Sequence, residues 1–212
     1  MRVRTCLIVA AALVAAFSGR GAELVYNFTT GVDGFVSGSW SSTGPAGWSG
    51  GAALQATNNA GGWTMGNGGG PMKDLTAEPG ALDLIASGAA RLSFDVIVDG
   101  SSFKPATPGW FQVWIAGNSG GTAGWTQKMV VDSYHNADDA TMVSTHVDVP
   151  YADVGWQAGD TWYQLWLGAN SDGAAPVNFY VDNVRLQVPE PSSAMLLILG
   201  VVGLFIRNRS GR

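Results

Sequence analysis

The chain has 212 residues, 46% of them apolar and 13% charged, with 30 Gly, 9 Trp, one Cys and a formal net charge of -5. That length holds one or two domains with a real core, and low charge beside abundant Gly and Trp argues against a helical bundle or a disordered tail. The acidic balance excludes a nucleic-acid binder, which needs a basic face to meet phosphates.

In chain order, the first element is an address. Met1-Arg2-Val3-Arg4 is a positive start, Cys6 to Phe17 is an uncharged apolar run, and small residues follow from Ser18 to Ala22. This order predicts a secretory signal peptide over 1–22, cut somewhere between 17 and 23. The run is too short to cross a hydrocarbon core of about 30 Å as a helix. Cys6 lies inside it, so the mature chain is expected to have no disulfide, no thiol nucleophile and no thiolate metal site.

From Glu23 to Val188 the periodicity is 2. Arg91 to Val98 is the clearest case, with Leu92, Phe94, Val96 and Val98 on one face and Arg91, Ser93 and Asp95 on the other. Further strands are expected at Leu24–Phe28, Ala52–Ala56, Gly62–Met65, Trp110–Ala116, Trp125–Val131, Val143–Val149, Thr161–Leu167 and Val177–Val188. Ser37 to Gly70, with 11 Gly in 34 residues and three Trp, reads as long loops around brief strands. Many short strands between Gly, Pro, Asn and Asp clusters predict an all-β fold, a single β-sandwich or jelly roll over 23–187.

The most informative internal feature is a near repeat. Trp110-Phe111-Gln112-Val113-Trp114-Ile115-Ala116-Gly117-Asn118 matches Trp162-Tyr163-Gln164-Leu165-Trp166-Leu167-Gly168-Ala169-Asn170. Strand alternation puts Phe111, Val113 and Ile115, like Tyr163, Leu165 and Leu167, on one face. The other face then carries Trp110, Gln112, Trp114 and Trp162, Gln164, Trp166. Indoles stack on the apolar C–H face of a pyranose while uncharged amides exchange hydrogen bonds with hydroxyls, so these six are candidate contacts for a polysaccharide. The same residues also suit packing beneath loops or in a second layer, and both readings stand at this point. Trp40, Trp48, Trp63 and Trp125, on or beside Gly-rich loops, are alternative stacking platforms.

Catalytic patterns are thin. His135 and His146 lack the His-Glu-x-x-His spacing, and the sequence holds no Gly-x-Ser-x-Gly elbow and no Walker loop. The expectation is therefore binding or a structural role, with a glycan-active enzyme as a remote alternative.

The last element is Val188-Pro189-Glu190-Pro191, two serines, an apolar run from Ala194 to Ile206, and then Arg207, Arg209 and Arg212. The arginines fit a stop-transfer element kept cytoplasmic by the positive-inside bias, predicting a short transmembrane helix over 194–206 that ties the chain to the membrane before processing. Pro189, Glu190 and Pro191, the apolar stretch, and Arg207 and Arg209 together resemble the PEP-CTERM sorting signal of Gram-negative bacteria, here over 188–212. The resemblance implies export across the inner membrane to the cell envelope or extracellular matrix, and an exosortase as processing partner.

The body has a second resemblance. Val25-Tyr26-Asn27-Phe28, Val32-Asp33-Gly34-Phe35 and Ser39-Trp40, with a closing Phe179-Tyr180-Val181-Asp182-Asn183-Val184, are similar to the galactose-binding-like jelly roll of many carbohydrate-binding modules. That resemblance implies extracellular polysaccharide as a ligand. It also implies a structural Ca2+ at Asp182 with oxygens of the first loop, Asn27, Thr29 or Asp33, hard ligands that suit calcium over zinc. The alternative is that Asp182 is a surface or turn-capping carboxylate.

The ends also change the charge. Between Glu23 and Val188 only Lys73, Arg91, Lys104, Lys128 and Arg185 oppose 15 acidic residues, so the body carries a net charge of about -10 and all 9 Trp.

Overall fold

Among the described residues there are eleven strands and one short helix. A computed structural model describes residues 23–45, 47–58, 63–64, 70–98, 109–121, 124–135, 143–152, 154–155, 159–171 and 176–189; positions 63, 109, 110, 133–135 and 143 are described by their backbone alone. The elements are β1 (Glu23–Tyr26), β2 (Ser39–Ser41), β3 (Ala53–Asn58), β4 (Trp63–Thr64), β5 (Met72–Asp74), α1 (Ala81–Ala86), β6 (Arg91–Val98), β7 (Gly109–Ser119), β8 (Trp125–His135), β9 (Val143–Pro150), β10 (Tyr163–Ser171) and β11 (Val177–Gln187). The chain from Glu23 to Val188 is one compact unit. The predicted signal peptide, the apolar stretch 194–206, and Glu190, Pro191, Arg207 and Arg209 lie outside the described residues. Among the described residues no helix is long and apolar enough to cross a membrane.

The strands form two antiparallel sheets, one six-stranded in the order β2-β3-β11-β6-β9 with β1 also on β11, the other five-stranded in the order β4-β10-β7-β8 with β5 also on β10. The fold is thus all-β, a two-sheet sandwich. Its core lies between the inner faces: Leu92, Phe94, Val96 and Val98 of β6, and Phe179, Val181 and Val184 of β11, meet Phe111, Val113 and Ile115 of β7 and Leu165 and Leu167 of β10. The rings of Phe111 and Phe179 lie 6.0 Å apart across the layer. Each such side chain contributes roughly 1.5–3 kcal/mol by leaving water.

β2, β5 and α1 were not expected from the pattern. Three-residue strands are too short to show alternation. The helix follows Gly80, whose φ of 80° makes the turn, and sends Leu84 and Ile85 into the core.

Strand β11 breaks its own alternation. Val177, Phe179 and Val181 face inward, and so do Val184 and Leu186, three and five positions beyond Val181. The phase change is taken up at a register shift between Asp182 and Arg185, where Asn183 adopts a φ of 52°. Asn tolerates this left-handed region better than a bulky or branched residue.

Candidate functional site: the outer face of the five-stranded sheet

The two copies of the repeat lie on β7 and β10, which pair antiparallel: Gln164 faces Asn118, Trp166 faces Ala116, Gly168 faces Trp114 and Asn170 faces Gln112. Phe111, Val113, Ile115, Tyr163, Leu165 and Leu167 are buried in the core. Gln112, Trp114, Asn118, Gln164, Trp166 and Asn170 alternate with them and are half-buried on the outer side. Beside β7, β8 extends this face with the exposed Trp125, Gln127 and Met129, opposite Asn118, Ala116 and Trp114. Across the β7–β10 pair a small residue faces each of two indoles, Gly168 for Trp114 and Ala116 for Trp166.

The polar groups on this face are wired to one another. Trp114 Nε1 donates to Gln112 Oε1 at 3.4 Å, and Trp166 Nε1 donates to Gln164 Oε1 at 3.3 Å. Trp125 Nε1 donates to Gln127 Oε1 at 3.1 Å. In all three the partners are two residues apart on one strand, where alternation returns both side chains to the same face. Asn118 Nδ2 also donates to Gln164 Oε1, at 3.2 Å, and Gln112 Nε2 donates to Asp132 Oδ1 at 3.2 Å. The rings of Trp125 and Trp166 approach to 5.9 Å at a tilt of 59°. Each indole is therefore held by its N–H edge to an amide of its own strand.

Of the six predicted contacts, four come together: Gln112, Trp114, Gln164 and Trp166. Trp162 stands just before β10 and is exposed; its carbonyl accepts the Gly120 N–H, and a Cβ on Gly120 would run into its indole. Trp110 sits on β7 opposite Tyr134, and its side chain lies outside the description. Because the repeats run antiparallel, Trp110 and Trp162 fall at opposite ends of the strand pair. The sequence reading placed Trp125 only among alternative platforms and missed Gln127, although its Trp-x-Gln spacing mirrors Gln-x-Trp in the repeat.

The residues expected to hold calcium are engaged otherwise. Asp33 Oδ2 accepts the Phe28 N–H at 2.8 Å, and Asn27 Oδ1 accepts the Thr29 hydroxyl at 3.2 Å. Asp182, only 3% exposed, accepts the Asn183 N–H at 2.7 Å and Asn183 Nδ2 at 3.3 Å. Across β6, Asp182 faces Asp95, whose carboxylate takes Asn183 Nδ2 at 2.8 Å and pairs with His146 Nδ1 at 2.7 Å. Burial pushes the Asp182 carboxyl above its usual range; the Asn183 N–H opposes this, and the neighbouring Asp95 charge adds to the rise. None of the hydrogen bonds of Asp182 reaches Asn27 or Asp33.

A cation does sit in the first loop, and it belongs to the chain. Lys73 Nζ donates to the Asp33 carbonyl at 2.8 Å, pairs with Glu78 Oε1 at 2.5 Å and lies 5.0 Å from the centre of the Tyr26 ring. Gly34, with φ of 77°, leaves room for it, since a Cβ there would meet the ammonium. The loop's backbone is otherwise strained, with Phe28, Asp33 and Ser37 all at positive φ. A carbonyl, a carboxylate and a ring face gathered on an ammonium do not fit the six to eight oxygens, roughly, that Ca2+ takes.

Comparison with known proteins bears on the C-terminus directly. Residues 187–210 match the PEP-CTERM protein-sorting motif. That match covers all but the last two residues of the predicted sorting signal, 188–212, and within it Pro189 is exposed. No curated protein matches the chain. Among solved structures, the chain is similar to the CBM22-1 xylan-binding domain of Paenibacillus barcinonensis Xyn10C, with 14% identity, a TM-score of 0.48, and coverage of 82% of this chain and 99% of that one. A xylan-binding domain from CBM 22 gives 13% identity and a TM-score of 0.49 over 79% of this chain and 95% of that one. The CBM27-1 of Caldicellulosiruptor saccharolyticus, solved with mannohexaose, gives 16% and 0.44 over 80% and 99%. The architecture rests on the chain's own strand pairing, to which these likenesses are consistent neighbours.

Proposed function

We propose that residues 23–188 form a non-catalytic glycan-binding domain of an exported protein, using the outer face of the five-stranded sheet. The observation that carries this reading is the set of three indoles, Trp114, Trp166 and Trp125, on adjacent strands, each tethered by its edge to a Gln on the same face. Edge tethering fixes the rings in advance, so a sugar ring stacks at little cost in side-chain entropy. Amide N–H groups beside the rings suit hydroxyls, and the absence of Lys or Arg among Gln112, Trp114, Asn118, Gln164, Trp166 and Asn170 points to an uncharged chain.

A second reading is a structural surface or matrix protein in which the same residues only pack. It is favoured by the internal satisfaction of the three indole N–H groups. Titration of the purified protein with neutral linear oligosaccharides, followed by calorimetry, separates the two. Saturable heat that disappears in a folded Trp114→Ala, Trp166→Ala variant supports binding; no heat with any chain supports packing.

The sorting motif extends the proposal to processing. An exosortase-type enzyme removes the tail at the membrane, delivering the domain to the cell envelope or outer matrix of a Gram-negative-type bacterium. Replacing Pro189, Glu190 and Pro191 with Ala in the native host is expected to stop tail removal, and continued processing would overturn this part.

A further inference from the structure

The pairing register converts the sequence repeat into a symmetry. Ile115 and Leu167 occupy the same place in the two copies of the repeat, and they are also directly opposite each other across β7 and β10. A local two-fold axis through the middle of that pair, normal to the sheet, therefore exchanges Trp114 with Trp166, Gln112 with Gln164, Ala116 with Gly168 and Asn118 with Asn170. The two indole-to-amide bonds of the repeat follow it, at 3.4 and 3.3 Å, whereas Gln164 also accepts from Asn118 and Gln112 also donates to Asp132.

The symmetry continues onto the flanking strands, where the repeat does not reach. On one side, β8 places Asp132 opposite Gln112, Met129 opposite Trp114 and Trp125 opposite Asn118. On the other side, β5 places Asp74 opposite Gln164 and Met72 opposite Trp166, and β4 places Trp63 opposite Asn170. Asp meets Asp, Met meets Met and Trp meets Trp, although one flank is a single strand and the other is two short strands from a distant part of the chain. The pattern involves five strands in four positions across the sheet, about 14 Å of it. Hydrogen bonding of a sheet makes no demand for such matching, because backbone ladders do not depend on side-chain identity.

A polysaccharide has a direction, since its two ends differ. A surface that repeats itself after a half turn offers the same rings, amides and corner carboxylates to a chain laid either way. Resting on the glycan-binding reading above, we propose that this face grips the interior of a linear, uncharged polysaccharide without reading its direction, so that both polarities bind on the same face and no chain end is recognised. Asp74 and Asp132, both exposed, stand at symmetric corners and repel an anionic chain from either side.

The test uses the full chain, isotopically labelled, with neutral hexasaccharides of xylose, mannose and glucose, each carrying a nitroxide at its reducing end. For the chain that binds, the backbone amide signals of the pairs Gln112 and Gln164, Asn118 and Asn170, and Asp132 and Asp74 are expected to lose intensity to the same extent within each pair. Trp114→Ala and Trp166→Ala are expected to weaken binding of the unlabelled chain by the same factor. Loss confined to one member of each pair, or a cost confined to one of the two substitutions, overturns the direction-blind site while leaving glycan binding in place. No binding of any unlabelled chain overturns the parent reading and this inference together.

Discussion

The two outer faces of the sandwich are treated in opposite ways. On the six-stranded sheet the outward Ile97 and Tyr180, with Ala53, are buried and packed by Trp48 from the 42–52 loop, whose ring fits where Gly44 and Gly50 have no Cβ. Further along that sheet the outward groups are the Asp182, Asp95 and His146 cluster. On the five-stranded sheet the indoles of Trp114, Trp125 and Trp166 are held from within the strands themselves, by Gln112, Gln127 and Gln164. Trp48 ties a loop down onto its sheet, whereas the three indoles of the other sheet are held by their N–H edges to amides of their own strands.

Substitutions on the two faces are expected to separate binding from stability. The largest effect is the Trp114→Ala, Trp166→Ala double variant, in which two stacking rings at about 2 kcal/mol each weaken glycan binding by roughly a thousandfold. Melting temperature should change little in the same variant; a protein that unfolds instead makes these rings structural. Next, Lys73→Met belongs to neither face and calibrates both. It strips the Asp33 carbonyl and Glu78 of their cation and is expected to cost about 3 kcal/mol in denaturant unfolding, whereas EDTA leaves the melting temperature of the parent unchanged. A fall with EDTA would mean that a metal, not the ammonium, holds the first loop. Trp48→Ala is the mirror of the first test, costing about 2 kcal/mol of stability with glycan affinity preserved.

The smallest effect is at Asp182. Its carboxyl is raised in the fold, so the ionised form is disfavoured there: the penalty is fully present above the folded-state pKa and is relieved as pH falls through it. Asp182→Asn keeps an acceptor for the Asn183 N–H and is expected to raise the melting temperature at neutral pH, with the gain shrinking in acid as Asp182 itself becomes neutral. A gain that persists below pH 3, or a loss at pH 7, contradicts this assignment.

Much of the sandwich was legible because alternation is a local property. Arg91 to Val98 shows its inner face in four apolar residues, and the nine strands expected from the pattern all carry strand in the structure. The bulge in β11 was also visible in principle, since Val181 and Val184 are three apart and no regular strand sends both inward. The site was legible as residue types but not as an arrangement. A repeat does not say whether its copies pair, or in which register, because strand pairing depends on long-range geometry that no short window contains. Once β7 and β10 are antiparallel, Trp114 and Trp166 become diagonal neighbours while Trp110 and Trp162 separate. The flanking matches of Met72 with Met129 and Asp74 with Asp132 need two further registers, β10 with β5 and β7 with β8. Asp182 showed the same limit: its cross-strand neighbour Asp95, which in turn pairs with His146, comes from a strand far away in the chain.

The most direct test of the glycan face follows the indole N–H signals of the full chain by NMR during titration with neutral linear hexasaccharides. The signals of Trp114, Trp125 and Trp166 are expected to shift together and saturate, while those of Trp40 and Trp48 stay in place. Shifts at Trp40 or Trp48 alone, or no shift with any chain, would contradict a binding face on the five-stranded sheet.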